Sequence, residues 1–284
     1  IVADGGFWGV QDLKQFESHS RSPIGTSAFG WRIESNPPPA AGGAVLTHML
    51  ALLDQTDLSE PLERLRAIVE AERAAVGYRT QHYQEPGEIT GNVEEALTRI
   101  HNGPMKSGDT THMSTADVDG YVCALTESNG YGAGLIVRGM MLNNTLGEEE
   151  LNPLGAHRLP PGARCQSNMA PTIATGPDVV VGIGSPGADR ITGAIAQTLL
   201  SVAVDGMSLK DAVAAPRAHL SAKPEGELMC YEPGLPGDEL TEYIPRPYED
   251  LHMFFGAVQA AAVFDDGSVD AAHDPRRSGA TVFV

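Results

Sequence analysis

Lys106-Ser107-Gly108-Asp109-Thr110-Thr111-His112-Met113-Ser114-Thr115-Ala116-Asp117-Val118-Asp119-Gly120-Tyr121-Val122-Cys123-Ala124-Leu125-Thr126 is the stretch across which the chain changes from helical to strand-like patterning. Thr111 to Asp117 and Tyr121 to Thr126 are short β-type runs. Asp119-Gly120 between them is a hairpin signal, because Gly tolerates the positive φ that tight strand connections demand. A hairpin opening at Thr110 is expected.

Upstream of this point the periodicity is helical. A short helical pass around Val10 to Phe16 precedes a turn-rich segment ending in Pro37-Pro38-Pro39-Ala40-Ala41-Gly42-Gly43, which cannot be helix interior. Val45, Met49, Leu52 and Leu53, then Leu62, Leu65, Ile68, Val69 and Val76, recur at helical spacing and predict two amphipathic helices. Asn92 with Glu95 resembles a capping box for a third helix through Ile100. Downstream, strands are expected at Gly134 to Val137, Thr172 to Ala174, Val179 to Ile183, Leu228 to Tyr231, Met253 to Phe255, Val258 to Phe264 and Thr281 to Val284. One long helix is expected from Ala188 to about Val204. Helices, then strands, then a helix, then strands indicate an α+β protein with sheets sandwiched between helices.

Composition bounds the function. With 284 residues, 42% of them hydrophobic and 20% charged, the chain can bury a large core. A formal charge of −18 and the lack of a Lys/Arg-rich run with interleaved aromatics argue against a nucleic-acid partner. No apolar stretch approaches the roughly 20 residues that a membrane-spanning helix needs. The most apolar run, Ala188 to Val204, is broken by Asp189, Arg190, Thr192, Gln197 and Ser201. Cys123, Cys165 and Cys230 lack disulfide-framework or metal-site spacing and are expected to be small buried hydrophobes. His48, His82, His101, His157, His252 and His273 show no paired ligand spacing, so they are expected on the surface or in packing. The chain starts Ile1-Val2-Ala3-Asp4 without Met or a leader pattern, which leaves localisation open, with the cytoplasm as default, and suggests that the natural N-terminus lies further upstream.

The chemistry concentrates at Thr110. A Thr hydroxyl is a weak nucleophile, and one remedy is to place it at a chain terminus, where its own α-amino group serves as base. That amine has an ordinary pKa of about 7.7 to 8.0, well matched to neutral pH. Such a terminus arises by cutting the Asp109–Thr110 bond, here between a Ser-Gly loop and a strand. Taken alone, a Thr pair opening a strand reads first as β-propensity. His112 shares a face with Thr110 and is either a base or a packing residue.

Further segments accompany this one in order: Leu125-Thr126, Leu142-Asn143-Asn144, Ser167-Asn168-Met169-Ala170-Pro171-Thr172, Gly184-Ser185-Pro186-Gly187, Ala215-Pro216-Arg217 with His219, and Asp274-Pro275-Arg276-Arg277-Ser278-Gly279-Ala280. Together with Pro37 to Gly43 they resemble the γ-glutamyltransferase family of N-terminal nucleophile hydrolases over nearly the whole chain. The resemblance implies a four-layer αββα sandwich. It divides the chain into 1–109, the mainly helical C-terminal part of a large-subunit-like region, and 110–284, a small-subunit-like catalytic region, both forming one structural domain. It implies Thr110 as nucleophile, released by cleavage between Asp109 and Thr110, with Ser128 as a second hydroxyl beside it and the N–H groups of Gly187 and Ala188 as oxyanion hole. Asn129, Thr145 and Glu148 are implied at the substrate's α-amino end, and Ser167 and Asn168 at its α-carboxylate.

Departures from the family pattern are informative. Thr145 stands where the transferases carry Gln, Glu148 stands near their Asp, and Asn168 replaces the second Ser of a pair, which puts γ-glutamyl specificity in question. The family's carboxylate-clamping Arg lies upstream of a segment like Gly5 to Gly43, and no Arg of this sequence takes its place. A longer chain or a second polypeptide is the expected source. The implied substrate is a small amino-acid-derived amide, γ-glutamyl by default, with no cofactor and no metal.

Alternatives are a relative hydrolysing another amide or a C–C bond in a biosynthetic pathway, and a non-processing homologue serving as a binding module. Gly182-Ile183-Gly184-Ser185-Pro186-Gly187 also fits the dinucleotide pattern G-x-G-x-x-G after a strand, with Asp205 further on. It lacks a βαβ frame. Asp274-Pro275-Arg276-Arg277 reads as a structural turn or ion-pair site, and Glu148-Glu149-Glu150 otherwise as a solvated face.

Overall fold

A computed structural model describes residues 9–82, 110–148, 151, 158, 160–223 and 226–284, with the side chains of 78–82 and 223 set aside. The expected third helix, Asn92 to Ile100, and Asp109 lie outside the described residues.

The centre is a six-stranded antiparallel sheet in the order β1-β2-β7-β8-β12-β13, formed by Ile24–Ala28, Trp31–Ser35, Thr172–Thr175, Val179–Gly184, Gln259–Phe264 and Val269–His273. Helices α2 (Gly42–Leu53) and α4 (Ile191–Ala203) bury Leu46, Met49, Leu50, Ile195 and Leu199 in one core with Ile33, Val181, Ile183, Ala260 and Ala262. Alternate residues of β8 and β12 thus face the helices. The intervening residues, Gly182 and Gly184 on β8 with Ala261 paired to Gly182, turn to the other face. There they meet the hairpin of β3 (Thr110–Ala116) and β4 (Val122–Ser128). A Cβ at Gly182 would stand 2.8 Å from the Val122 side chain, and one at Gly184 would stand 2.3 Å from the His112 ring. The glycines of the G-x-G run are therefore small because the hairpin lies on them.

The same geometry removes the dinucleotide reading. β8 sits between two antiparallel neighbours rather than in a βαβ frame, and Asp205 forms a two-pronged pair with Arg64 at 2.6 and 2.7 Å.

The β3–β4 turn closes as its Asp-Gly sequence predicts. Asp117 Oδ1 accepts the N–H groups of Asp119 and Tyr121, and Gly120 adopts φ +89°. Helix α3 (Pro61–His82) crosses to a second sheet, β11-β10-β9 (Ile244–Pro247, Gly226–Tyr231, Ala218–Lys223), burying Leu65 and Val69 against Met229 and Tyr231. Helix α1 (Val10–Gln15) buries nothing, and α5 (Leu209–Ala214) follows α4 behind a Ser208 cap. Between β4 and β7, Ile136–Val137 and Met140–Met141 form the small hairpin β5–β6. Helices, central sheet and hairpin make three layers; the second helical layer of an αββα sandwich is not among the described elements.

Several expectations are corrected. The turn-rich segment before Pro37 contains the β1–β2 hairpin, whose short alternating strands Ile24-Gly25-Thr26-Ser27-Ala28 and Trp31-Arg32-Ile33-Glu34-Ser35 carry little apolar signal. β2 pairs with β7, so strands from both sides of residue 110 share one sheet. Met253–Phe255 is a 3₁₀ turn rather than a strand, and Thr281 to Val284 joins no sheet among the described residues. Of the cysteines only Cys230 is fully buried. Cys123 falls on the outward-facing register of β4 and is exposed, and Cys165 is intermediate.

Candidate active site

Thr110 opens β3 and pairs in register with Ser128, the last residue of β4. The pairing brings Thr110 Oγ1 to 2.8 Å from Ser128 Oγ, and either hydroxyl can be the donor. Ser128 Oγ also accepts the Gly130 N–H at 2.9 Å, leaving its own proton to serve Thr110. The Thr110 carbonyl accepts from Arg277 Nη1 at 3.1 Å. Sequence reasoning placed Arg277 in a structural turn and missed this contact, which spans 167 positions and has no local signal.

Gly182 lies under Val122 and Gly184 under His112, so β8 runs toward the Thr110 end of the hairpin. The loop that follows leaves the sheet at that end. In it Gly187 has φ +140° and Ala188 has φ +55°, and the Gly187 carbonyl accepts the Arg190 N–H at 3.0 Å. A left-handed Ala is uncommon, and with Gly187 before it the backbone turns sharply to start a 3₁₀ turn, Ala188–Arg190, ahead of α4.

Beyond Ser128, two polar side chains converge on the turn. A Cβ on Gly130 would lie 2.2 Å from Glu148 Oε1 and 2.3 Å from Asn144 Oδ1, which places both groups against the residue bonded to Ser128. Asn144 Oδ1 accepts the Tyr131 N–H at 2.7 Å, and the Asn129 carbonyl accepts from Gly132 and Asn144. Thr145 begins the 3₁₀ turn Thr145–Gly147, and its carbonyl accepts the Glu148 N–H at 3.2 Å. Glu148 and the Asn129 backbone therefore lie by the turn that follows Ser128, and Thr145 joins them only through its backbone bond to Glu148.

Ser167 and Asn168 have different surroundings. The Ser167 carbonyl accepts from Ala41 and Gly42, its hydroxyl accepts the Met169 N–H at 3.1 Å, and Asn36 Nδ2 donates to the Met169 carbonyl. This explains the linked motifs Pro37 to Gly43 and Ser167 to Thr172, which are two faces of one backbone junction. Asn168 is buried, and its Oδ1 has no hydrogen-bond partner among the described residues. Ser167 borders a cavity of about 830 Å³ that is also lined by Arg21, Asn36, Arg164 and Cys165. Among the described residues, the hydrogen bonds of Ser167 go to this junction, and none joins Ser167 or Asn168 to Thr110.

His112 is enclosed. Its Nδ1 lies 2.7 Å from Thr126 Oγ1 and its Nε2 lies 2.8 Å from Ser114 Oγ, with the ring over Gly184. Burial pushes its pKa down from 6.5 to about 4, so it is a neutral strut joining hairpin to sheet. The folded state holds this imidazole neutral while the unfolded chain takes up a proton below 6.5. The stability it contributes is therefore complete above pH 6.5 and is lost as pH falls toward 4. The shift corresponds to about 3 kcal/mol. Urea unfolding of wild type at pH 7, 5.5 and 4.5 should show this loss, and His112→Gln should flatten that part of the slope.

No group of three or more His, Cys, Asp or Glu side chains among the described residues could hold a metal ion. Among the same residues no helix is long and apolar enough to cross a membrane.

A family model described as gamma-glutamyltranspeptidase matches residues 1–284. The glutathione hydrolase proenzyme of Bacillus subtilis (strain 168) is 27% identical over 329 residues, covering 99% of this chain and 56% of that protein. The acylase ACY 1 proenzyme of Pseudomonas sp. (strain SE83) is 26% identical over 314 residues, covering 100% of this chain and 56% of that protein. Cephalosporin acylase from Bacillus halodurans shares the fold with a TM-score of 0.67 at 21% identity, over 97% of this chain and 55% of its own. The chain thus spans a little over half the length of these relatives.

Proposed function

This chain belongs to the γ-glutamyltranspeptidase family and has the N-terminal nucleophile hydrolase fold, and on that premise we propose that it carries the nucleophile of an enzyme that cleaves small amino-acid-derived amides. The observation that carries the reading is the 2.8 Å contact between Thr110 Oγ1 and Ser128 Oγ at the first residue of β3. The positive-φ turn of Gly187 and Ala188 at the same end of the sheet supports it.

In this reading the chain cuts itself between Asp109 and Thr110, and the freed α-amino group takes the Thr110 hydroxyl proton as Oγ attacks the amide carbon. The N–H groups of Gly187 and Ala188 stabilise the oxyanion, in the low-dielectric setting where such donors matter most. The tetrahedral intermediate collapses with loss of the amine, which leaves protonated by the Thr110 ammonium. The ester on Thr110 is then released to water or to an amine acceptor. Arg277, which donates to the Thr110 carbonyl, holds the backbone of the nucleophile in place.

Glu148, gathered with Asn129 and Thr145 near Ser128, is the group we assign to a substrate ammonium; Ser167 and Asn168 are assigned to the carboxylate end. Removal of a charge-assisted contact of this kind costs about 1.5–3 kcal/mol. Glu148→Gln should accordingly raise KM for γ-glutamyl-p-nitroanilide by about ten- to a hundredfold with little change in kcat. Glutaryl-p-nitroanilide, which lacks the ammonium, should be hydrolysed equally by variant and wild type. A wild type that prefers the glutaryl compound would favour the second reading, an acylase, which the replacement at Thr145 and the acylase ACY 1 relative both support.

The primary test is the intact mass of the purified protein, made with whatever upstream chain the natural protein has. Two fragments are expected, the second beginning Thr110-Thr111-His112. A single chain after prolonged incubation would mean a non-processing binding module.

A further inference from the structure

Behind the turn at Gly187 and Ala188 stands a group of charges, buried at Glu72 and His219 and part-exposed at Asp189 and Arg190, that the proposed reaction does not use. Glu72 on α3 is buried, with Oε1 2.5 Å from His219 Nδ1 and Oε2 accepting the Leu220 N–H at 3.0 Å. His219 on β9 is buried as well, and its other ring nitrogen faces Asp189 Oδ2 at 3.7 Å. That distance is an ion-pair contact rather than a hydrogen bond. Asp189 directly follows Ala188 and pairs with Arg190. Arg190 in turn lies over the Phe254 ring at 4.8 Å and donates to the Phe254 carbonyl, while Phe254 presents its edge to His219. The Gly193 backbone makes room for the Glu72 carboxylate, since a Cβ there would lie 3.2 Å from Oε1.

Two carboxylates from separate elements therefore flank one imidazole, and the imidazolium is the form whose charge complements both. A neutral ring would turn one ring nitrogen as an acceptor toward a carboxylate, and burial makes that worst on the Glu72 side. Burial opposes the charge, but the charge of Glu72 and the contacts with Asp189 and Glu72 outweigh it and raise the imidazole from 6.5 to about 9. Among the described residues the charged groups that face His219 are Glu72 from α3 and Asp189 from the turn, with Arg190 paired to Asp189, and the Phe254 ring packs at 5.7 Å. The turn itself needs an anchor, because Gly187 and Ala188 both occupy positive φ and the following 3₁₀ turn is only three residues long.

We infer that Glu72, His219 and Asp189 form a positioning relay that ties α3 and β9 to the Gly187–Ala188 turn and holds its N–H groups in the orientation that receives the acyl oxygen, so long as His219 carries its second proton. None of the three touches the reacting atoms. The acyl-oxygen part rests on the reading of Gly187 and Ala188 as oxyanion donors; the tethering part does not.

Hydrogen exchange of the segment 185–192 separates the two. Asp189→Asn and His219→Gln are expected to speed exchange of the Arg190 amide, whose bond to the Gly187 carbonyl reports the turn, while thermal midpoints show that the rest stays folded. Wild type should show the same loosening as pH rises past 9, after correction for intrinsic exchange, and Asp189→Glu should restore protection in part. With γ-glutamyl-p-nitroanilide, kcat of Asp189→Asn should fall about tenfold to a hundredfold with KM little changed, as misplaced catalytic groups do. Unchanged Arg190 exchange in Asp189→Asn overturns the relay whatever the activity, and that surface-side variant decides the matter if His219→Gln does not fold. Loosened exchange with unchanged kcat would overturn its link to the acyl oxygen. If wild type turns over no amide at all, the proposed function fails while the exchange result still decides the tether.

Discussion

Thr110→Ala is expected to yield a single uncut chain with no measurable turnover, a loss of at least about 10⁴-fold, as when the nucleophile of a catalytic unit is removed. The loss is large because the proposed mechanism gives one hydroxyl two tasks. There it cuts the bond that precedes it, and the amine so released then serves the same hydroxyl as base. Thr110→Ser keeps the oxygen and should keep both steps at reduced rate. Ser128→Ala removes only the 2.8 Å bond to Thr110 Oγ1 and the acceptor for the Gly130 N–H, so a slower but complete maturation is expected. Folding does not confound the comparison. Thr110 is a part-exposed strand terminus, and its side-chain bond to Ser128 contributes about 1 kcal/mol. Intact mass, p-nitroaniline release and a thermal melt on the same preparation check all three points. Cleavage or turnover surviving in Thr110→Ala would remove Thr110 from the mechanism.

The hairpin that carries Thr110 was legible because its information is local. Asp119-Gly120 forms the turn, and β-type runs on either side set the register that makes Thr110 face Ser128. Helix α4 and strands β7, β8, β10 and β12 were legible for the same reason, being apolar runs of the right length. Strands β1, β2, β9, β11 and β13 were not. Val269-Asp270-Ala271-Ala272-His273 and Ile244-Pro245-Arg246-Pro247 hold few β-branched or aromatic residues, and they become strands by pairing with a neighbour already in place. The site divides similarly. Resemblance pointed to Thr110, Ser128 and the Gly187 turn; Glu148 and Asn129 lie by the turn after Ser128, and their part in substrate binding is a proposal. His112 was legible as sharing the face of Thr110, but only the Gly184 contact shows that this face is packed shut. Arg277 against Thr110, and Glu72 with His219, join positions 167 and 147 apart, where no window of sequence could link them.

The largest loss of stability is expected from Arg276→Met, about 3–5 kcal/mol, the cost of removing one partner from a buried ion pair. Its guanidinium uses all five N–H donors. Nε and Nη2 grip Glu232 at 2.7 and 2.5 Å, Nη1 reaches Asp274 and the Val213 carbonyl, and Nη2 also reaches the Ala215 carbonyl. Glu232 in turn accepts the N–H groups of Arg217 and His252, and Asp274 accepts those of Arg276 and Val258. Arg217 completes a neutral set of two cations and two anions through Asp274 at 2.7 Å. Arg217 is fully buried, and burial pulls its guanidinium down to about 10 against the charge of Asp274. Met fills similar volume but strands Glu232 and two backbone carbonyls. Arg276→Lys should cost nearly as much, because an ammonium cannot match a planar fork bonded on every side. A typical domain has only about 5–15 kcal/mol in hand, so either variant should shift urea unfolding markedly or fail to accumulate as folded protein. A Lys variant within about 1 kcal/mol of wild type would show that charge alone suffices and that the fork does not matter. The network also bears on the site. Asp274 and Arg276 hold the backbone immediately before Arg277, whose side chain bonds the Thr110 carbonyl. Loosening Arg276 in a variant that still folds, such as Arg276→Lys, should therefore slow maturation at Asp109–Thr110 even where the fold survives, and Arg277→Ala should slow it without the loss of stability.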